Sequence, residues 1–276
     1  MARVVLHSML FLYSLAITFS LLPYSVYCFH PKVLTNVSRS LSDISWSWAP
    51  AGATWYGSPT GAGSDGGACG YMSAVGEPPF NSKISAGGPS LFRSGAGCGT
   101  CFEVKCTENA ACSGQQATVV ITDECPGGPC LAEPVHFDLS GAAFGAMAKP
   151  GREDQLRNVG VLNIQYRRQV VQCKYPGVKI AFRVDPGSNP WYFSTAVEFV
   201  NGDGDLAAVE VQEASSKQWL PMQRLWGAVW KLNSGNPLNG PFSIKLTTPS
   251  KMTLVAKNVI PSGWVPGRIY HSKVNF

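Results

Sequence analysis

The amino-acid sequence predicts an all-β protein in two parts, a closed or nearly closed barrel followed by a β-sandwich. Three observations predict it. Short strand-length runs bounded by Gly, Pro and Asn recur from about residue 70 to Gln172. Eight cysteines lie between Cys69 and Cys173 and none follows, so a stapled, loop-rich part gives way to one with regular strands. Beyond Val178 the runs alternate at sandwich spacing. With 276 residues and 45% hydrophobic content, the chain is long enough for two ordinary domains and apolar enough to give each a core.

The elements follow in order. Arg3, the apolar run Met9 to Leu22, Pro23, and Val26 and Cys28 at the positions a peptidase inspects make residues 1–28 a signal peptide. The run is shorter than the ~20 residues of a membrane-spanning helix, which disfavours a signal anchor. Residues 29–47 are polar and Ser-rich, a flexible extension carrying the glycosylation sequon Asn36-Val37-Ser38. Residues 48–173 form the barrel. Its clearest strands are Cys101 to Lys105, Thr118 to Thr122 and Val161 to Arg167, and its one helix is Ser140 to Ala148, with Ser140 as N-cap and Lys149-Pro150-Gly151 as the stop. Residues 174–178 are a linker. Residues 179–273 hold the runs A-F-R-V, A-V-E-F-V, A-A-V-E-V-Q-E, W-L-P-M, F-S-I-K-L-T-T and M-T-L-V-A, separated by turn clusters such as Asn201-Gly202-Asp203-Gly204.

Charge is divided unevenly. Ten Lys and Arg face six Asp and Glu from Val178 onward, whereas Phe29 to Gly177 balances eleven against eleven. The second part should therefore lean on an anionic partner, and an acidic wall polymer fits. The chain has no basic run for nucleic acid, and the glycines at 61 to 70 are followed by Cys and Tyr in place of a phosphate-binding helix. Once Cys28 leaves with the leader, an even number of cysteines remains in an oxidising compartment, which predicts four disulfides. Zinc ligation or a redox pair at Cys98 and Cys101 lacks its usual context, and a thiol nucleophile paired with His136 would need a free cysteine. Eight cysteines allow about a hundred connectivities, so the pairing stays open at this point.

Two kinds of residue could carry chemistry. Asp65 lies in the loop G-A-G-S-D-G-G-A-C-G-Y, Asp123 closes V-V-I-T-D, and Asp138 follows His136-Phe137, where an aromatic neighbour would desolvate it and raise its pKa. Inverting cleavage of a glycosidic bond needs two such carboxyls about 6.5 to 9.5 Å apart. A lone Asp beside Gly is, against that, an ordinary turn former. Trp55-Tyr56, Trp191-Tyr192, Trp226 and Trp230 are side chains that stack on sugar rings, although a Trp in a sandwich is as readily core. Adjacent residues of a strand point to opposite faces, so one of Trp191 and Tyr192 should look outward.

The motifs A-T-W-Y-G at 53 to 57, D-G-G-A-C-G-Y at 65 to 71, C-G-T-C-F-E-V-K-C at 98 to 106, V-I-T-D at 120 to 123, H-F-D-L-S-G at 136 to 141, A-F-G-A-M-A at 143 to 148 and G-D-G-D at 202 to 205 occur in one order over most of the chain. In these the sequence resembles the plant β-expansins, wall-loosening proteins that include the grass-pollen group-1 allergens. The resemblance implies a six-stranded double-psi β-barrel similar to family-45 endoglucanases, followed by an immunoglobulin-like β-sandwich that binds carbohydrate. It implies disulfides Cys69 to Cys98, Cys101 to Cys173, Cys106 to Cys112 and, in part of the family, Cys125 to Cys130. It further implies a groove of Thr54, Tyr56, Asp65, Asp123, His136 and Asp138, continued by a stacking platform of Tyr192 and Trp226 with Trp55 and Trp191 as further aromatics. Asp138 resembles the general acid of the related hydrolases. Their base follows a T-x-Y-W stretch, where this chain has Gly57-Ser58, so the resemblance implies wall loosening without hydrolysis. An inverting hydrolase with Asp138 as acid and Asp65 as base is the alternative. The implied setting is the plant cell wall, with cellulose, xyloglucan or glucuronoarabinoxylan as partner, and a monomer that uses no cofactor, metal or nucleic acid.

Overall fold

The computed structural model describes residues 47–168 and 173–276. The expected signal peptide, residues 29–46 and the Asn36 sequon fall outside them. Among the described residues no helix is long and apolar enough to cross a membrane.

The first part is a closed six-stranded barrel. Its strands are β1 (Ala49–Tyr56), β2 (Ile84–Gly87), β3 (Cys101–Lys105), β4 (Ala117–Glu124), β5 (His136–Ser140) and β6 (Leu162–Arg168), joined in the order β1-β5-β2-β4-β3-β6. Pairs β1/β5 and β2/β4 are parallel and the other four antiparallel. Alternation along β5 explains its placement. Phe137 and Leu139 are fully buried in the barrel core with Ile121, Val119 and Phe102, which leaves His136 and Asp138 on the opposite face.

Four short helices decorate the barrel: α1 (Pro89–Phe92), α2 (Pro129–Ala132), α3 (Gly141–Gly145) and α4 (Glu153–Arg157). The expected helix over 140 to 148 is real but ends at Gly145. Ser140 caps it, its Oγ accepting from the Ala143 amide at 3.0 Å.

The second part stacks two sheets. One has the order β10-β9-β13-β14, from β9 (Ala208–Glu213), β10 (Leu220–Pro221), β13 (Phe242–Thr247) and β14 (Thr253–Ile260). The other has the order β11-β12-β8-β7-β15, from β7 (Ala181–Val184), β8 (Tyr192–Glu198), β11 (Gln223–Trp226), β12 (Val229–Asn233) and β15 (Ile269–His271). Phe182, Phe193, Val211, Trp230, Phe242 and Ile244 fill the space between them.

Barrel and sandwich are joined without an intervening gap. Asp205, only 1% exposed, accepts from Arg93 at 2.5 Å and Arg168 at 2.9 Å, both on the barrel. The Ala228 amide donates to the Cys69 carbonyl at 3.0 Å, and Arg183 donates to the Tyr71 carbonyl at 2.9 Å. Backbones touch here. Gly227 has a positive φ, and a Cβ on it would stand 2.6 Å from Cys69 Cα; Gly204, also at positive φ, lies against the Gly99 carbonyl. The G-D-G-D motif therefore belongs to the junction, with Gly202 bridging to Cys173. Four disulfides staple the barrel side: Cys69 to Cys98, Cys101 to Cys173, Cys106 to Cys112 and Cys125 to Cys130, the pairing the resemblance implies. No thiol among them is left for nucleophilic catalysis with His136.

Candidate functional site

Strand register places the polar residues in a row. Thr54 of β1 pairs with Asp138 of β5, Asp138 pairs with Ala86 of β2, and Ala86 pairs with Asp123 of β4. The two carboxylates thus flank one small side chain, their backbones two strand spacings or about 10 Å apart. Two residues further along β1, Tyr56 shares the face of Thr54.

Hydrogen bonds tie one end of this row into a chain. Thr54 Oγ1 donates to Asp138 Oδ1 at 2.6 Å and lies 2.9 Å from His136 Nε2, while His136 Nδ1 lies 2.8 Å from Glu133 Oε2. Since Thr54 spends its proton on Asp138, its oxygen accepts from Nε2–H. That fixes the imidazole ring between two partners. Gly52 makes room for the arrangement, because a side chain there would overlap the Glu133 carboxylate.

Asp138 is the perturbed carboxyl. Burial raises its pKa above the usual aspartate value and the Asp123 charge adds to that, against the Thr54 hydrogen bond and the His136 charge. Tyr56 is held neutral by burial and by the fields of Asp123 and Asp138, which push its pKa above the usual phenol range. Its hydroxyl is buried and has no partner in the protein. A buried phenol without a partner, flanked by two carboxylates, is a position that a ligand hydroxyl would satisfy.

The other candidates fall into place differently. Asp123 Oδ1 accepts from the Ala68 amide at 2.6 Å and the Glu124 amide at 2.8 Å, so it anchors the Gly-rich loop to the barrel wall. Asp65 is exposed on that loop and is not joined to the Asp138 chain. Trp55 stands on the core-facing side of β1, half-buried, its Nε1 donating to the Arg157 carbonyl at 3.0 Å. At Gly57-Ser58, where the resemblance puts the base of the related hydrolases, Gly57 has a positive φ and presses on Gly63, leaving no space for a side chain on Gly57.

On the sandwich, Trp226 is 45% exposed and its ring covers Gly70, where a Cβ would stand 2.8 Å from the indole. Register puts Trp226 beside Val229 and Val229 beside Ala196, while Tyr192 pairs with Asn233, so Trp226 and Tyr192 share the outer face of the five-stranded sheet. Trp191 is 56% exposed on the turn before β8. Trp230 faces inward, 4% exposed beneath the Arg224 guanidinium. Sequence reasoning passed over Glu133. Its signal was the E-P-V-H spacing, which sets a carboxylate three residues before the imidazole.

Residues 180–261 match the family model of the expansin C-terminal domain, and residues 84–166 match one described as lytic transglycolase. Expansin-B11 of Oryza sativa subsp. japonica is 61% identical over 84% of this chain and 80% of its own, and a putative expansin-B2 of Arabidopsis thaliana is 55% identical over 91% and 90%. Among solved structures, a mutant Clavibacter michiganensis expansin in complex with cellohexaose superposes with a TM-score of 0.61 at 26% identity, over 83% of this chain and 98% of that one. Motif order, a closed barrel joined to a two-sheet domain, and relatives of this identity together make the chain a member of the expansin family, grouped with the plant expansin-B proteins.

Proposed function

We propose that this protein is exported to the plant cell wall, where it binds a polysaccharide chain along the row from Trp226 and Tyr192 to Asp138 and loosens noncovalent contacts between chains without cutting them. Stacking on the two aromatic rings contributes about 1 kcal/mol each, and hydrogen bonds between sugar hydroxyls and Asp138, Asp123 and the Tyr56 hydroxyl add direction. Together these rival the contacts a glucan makes with its neighbour. The observation that carries the reading is the absent partner carboxyl: Asp138 is half-buried, perturbed and bound to Thr54, Asp123 is held by two backbone amides, and Gly57 packs against Gly63 where the resemblance puts the second carboxyl of a hydrolase. Losing a general base costs roughly 10² to 10⁴ in rate, so hydrolysis on this site would be slow even with a chain in place. The expansin solved with cellohexaose supports a glucan as the ligand class. The excess of cations on the sandwich suits an anionic matrix polymer such as glucuronoarabinoxylan.

The test is extension of heat-killed wall strips under constant load, with reducing ends measured in the same sample. Creep without new reducing ends is the expected outcome. Sustained release of reducing ends that Asp138→Asn abolishes would overturn it in favour of an inverting hydrolase.

A further inference from the structure

The row does not stop at His136. The face of β1 that carries Thr54 and Tyr56 continues through Gly52 to Pro50, and register sets Asn163 and Gln165 of β6 beside them. There the surface opens into a cavity of about 510 Å³, walled by Trp48, Glu108, Glu133, Asn163 and Gln165. That volume lies within the range of small-ligand sites.

We propose that this cavity is a second saccharide subsite, taking a neutral sugar residue of the same chain that lies along Asp138. The inference rests on the reading of the groove given above and extends it. Continuity comes from Glu133, which belongs to both places: Oε2 meets His136 Nδ1 at 2.8 Å, and the carboxylate lines the cavity. Four residues of β1 separate Pro50 from Thr54, a span of about 13 Å, and the Glu133 carboxylate covers Gly52 between them, so a bound chain passes over Glu133 to reach from one to the other.

The lining selects the ligand. Asn163 and Gln165 are on one face of β6 and offer amide donors and acceptors side by side, the complement of neighbouring sugar hydroxyls. Both charged side chains in the lining are carboxylates. Two cations stand beside the lining on the Trp48 ring, Lys105 at 4.1 and Arg167 at 4.7 Å from its centre, and Arg167 also pairs with Glu103. Within the lining an anionic substituent meets Glu108 and Glu133, which favours a neutral sugar residue here, in contrast to the basic sandwich. Among the described residues no group of three metal-ligating side chains forms, so the two carboxylates do not make a cation site.

The experiment is calorimetric titration of the full chain with cello- and xylo-oligosaccharides from disaccharide to hexasaccharide. Wild type should gain affinity with length, and the double variant Asn163→Ala, Gln165→Ala should bind the hexasaccharides roughly tenfold more weakly while leaving the disaccharides unchanged. Asn163 is exposed and Gln165 half-buried, and an unchanged thermal midpoint will show that the fold is intact. Asn163→Arg, which fills the cavity, should reproduce the loss. Trp226→Ala serves as the groove control and should weaken every length. If both cavity variants bind hexasaccharides as wild type does while Trp226→Ala weakens them, the subsite is overturned and the groove stands. If wild type binds no oligosaccharide, the groove falls and the subsite with it.

Discussion

Gly52→Ala is the substitution whose cost follows most directly from the geometry. The backbone at Gly52 is outside the left-handed region, so alanine meets no conformational penalty there. What it meets is Glu133, whose carboxylate occupies the space of the new methyl, and then His136 Nδ1 at 2.8 Å. Glu133 must swing away and its bond to His136 is lost. A hydrogen bond to a charged group is worth about 1.5 to 3 kcal/mol, and the lower half of that range applies because the Glu133 side chain is 32% exposed. Removing a glycine from the unfolded chain returns about 0.4 to 1 kcal/mol. The net expectation is a loss of about 1 kcal/mol. In a Glu133→Ala background the obstacle is gone and only the contact with His136 remains, so the same substitution should be nearly neutral. Urea unfolding of the four proteins closes the cycle. A Gly52→Ala cost that is the same in both backgrounds, within about 0.5 kcal/mol, would refute the view that Glu133 braces His136 across the glycine.

Three further outcomes are expected. Asp138 keeps its proton to higher pH than an ordinary aspartate, so the stability it contributes is full below the unfolded pKa and is lost as pH rises through the raised one. Cellohexaose binding that uses this proton should decline over the same window in wild type and stay flat in Asp138→Asn; parallel pH profiles would show that the proton plays no part. Asp205→Ala leaves Arg93 and Arg168 facing each other without their anion, at a cost of about 3 kcal/mol in urea unfolding, softened by the partial exposure of both arginines. Binding to glucuronoarabinoxylan should weaken as salt rises, whereas Tyr192→Ala should weaken binding by a similar factor at every ionic strength, because stacking is not screened.

Much of this architecture was legible in the residues, for physical reasons that differ by part. Alternation exposed the sandwich runs at 181–184, 208–213 and 242–247 because each has one buried face. The barrel was harder. β1 contains Pro50 and Gly52, which obscure its strand pattern, yet Pro50 is tolerated because β1 pairs there with β6 alone, so the missing N–H breaks no ladder bond. Strand β5 was read only as a motif, since five residues are too few to establish a period. Asp138 and Thr54 could be named from the resemblance, but the order Glu133, His136, Thr54, Asp138 is a product of register between β1 and β5, which no local pattern encodes. Trp55 shows the converse. Its neighbours Thr54 and Tyr56 face the row, and strand pleating turns the indole between them to the other side.

The junction between barrel and sandwich bears on how such chains can change over time. Gly99 and Gly204 meet backbone to backbone, Gly227 lies on Cys69, and Asp205 holds arginines from two separate barrel segments. A side chain gained at either glycine of a touching pair needs an answering change on a different domain, and no single step supplies both. The two halves are consequently fitted to each other: a chimera that takes the barrel of one relative and the sandwich of another inherits a working seam only where Arg93, Gly99 and Arg168 travel with partners equivalent to Gly204, Asp205 and Gly227. Loops and aromatic platforms remain free to diversify around that seam, which is where differences in polymer preference among related chains should be sought.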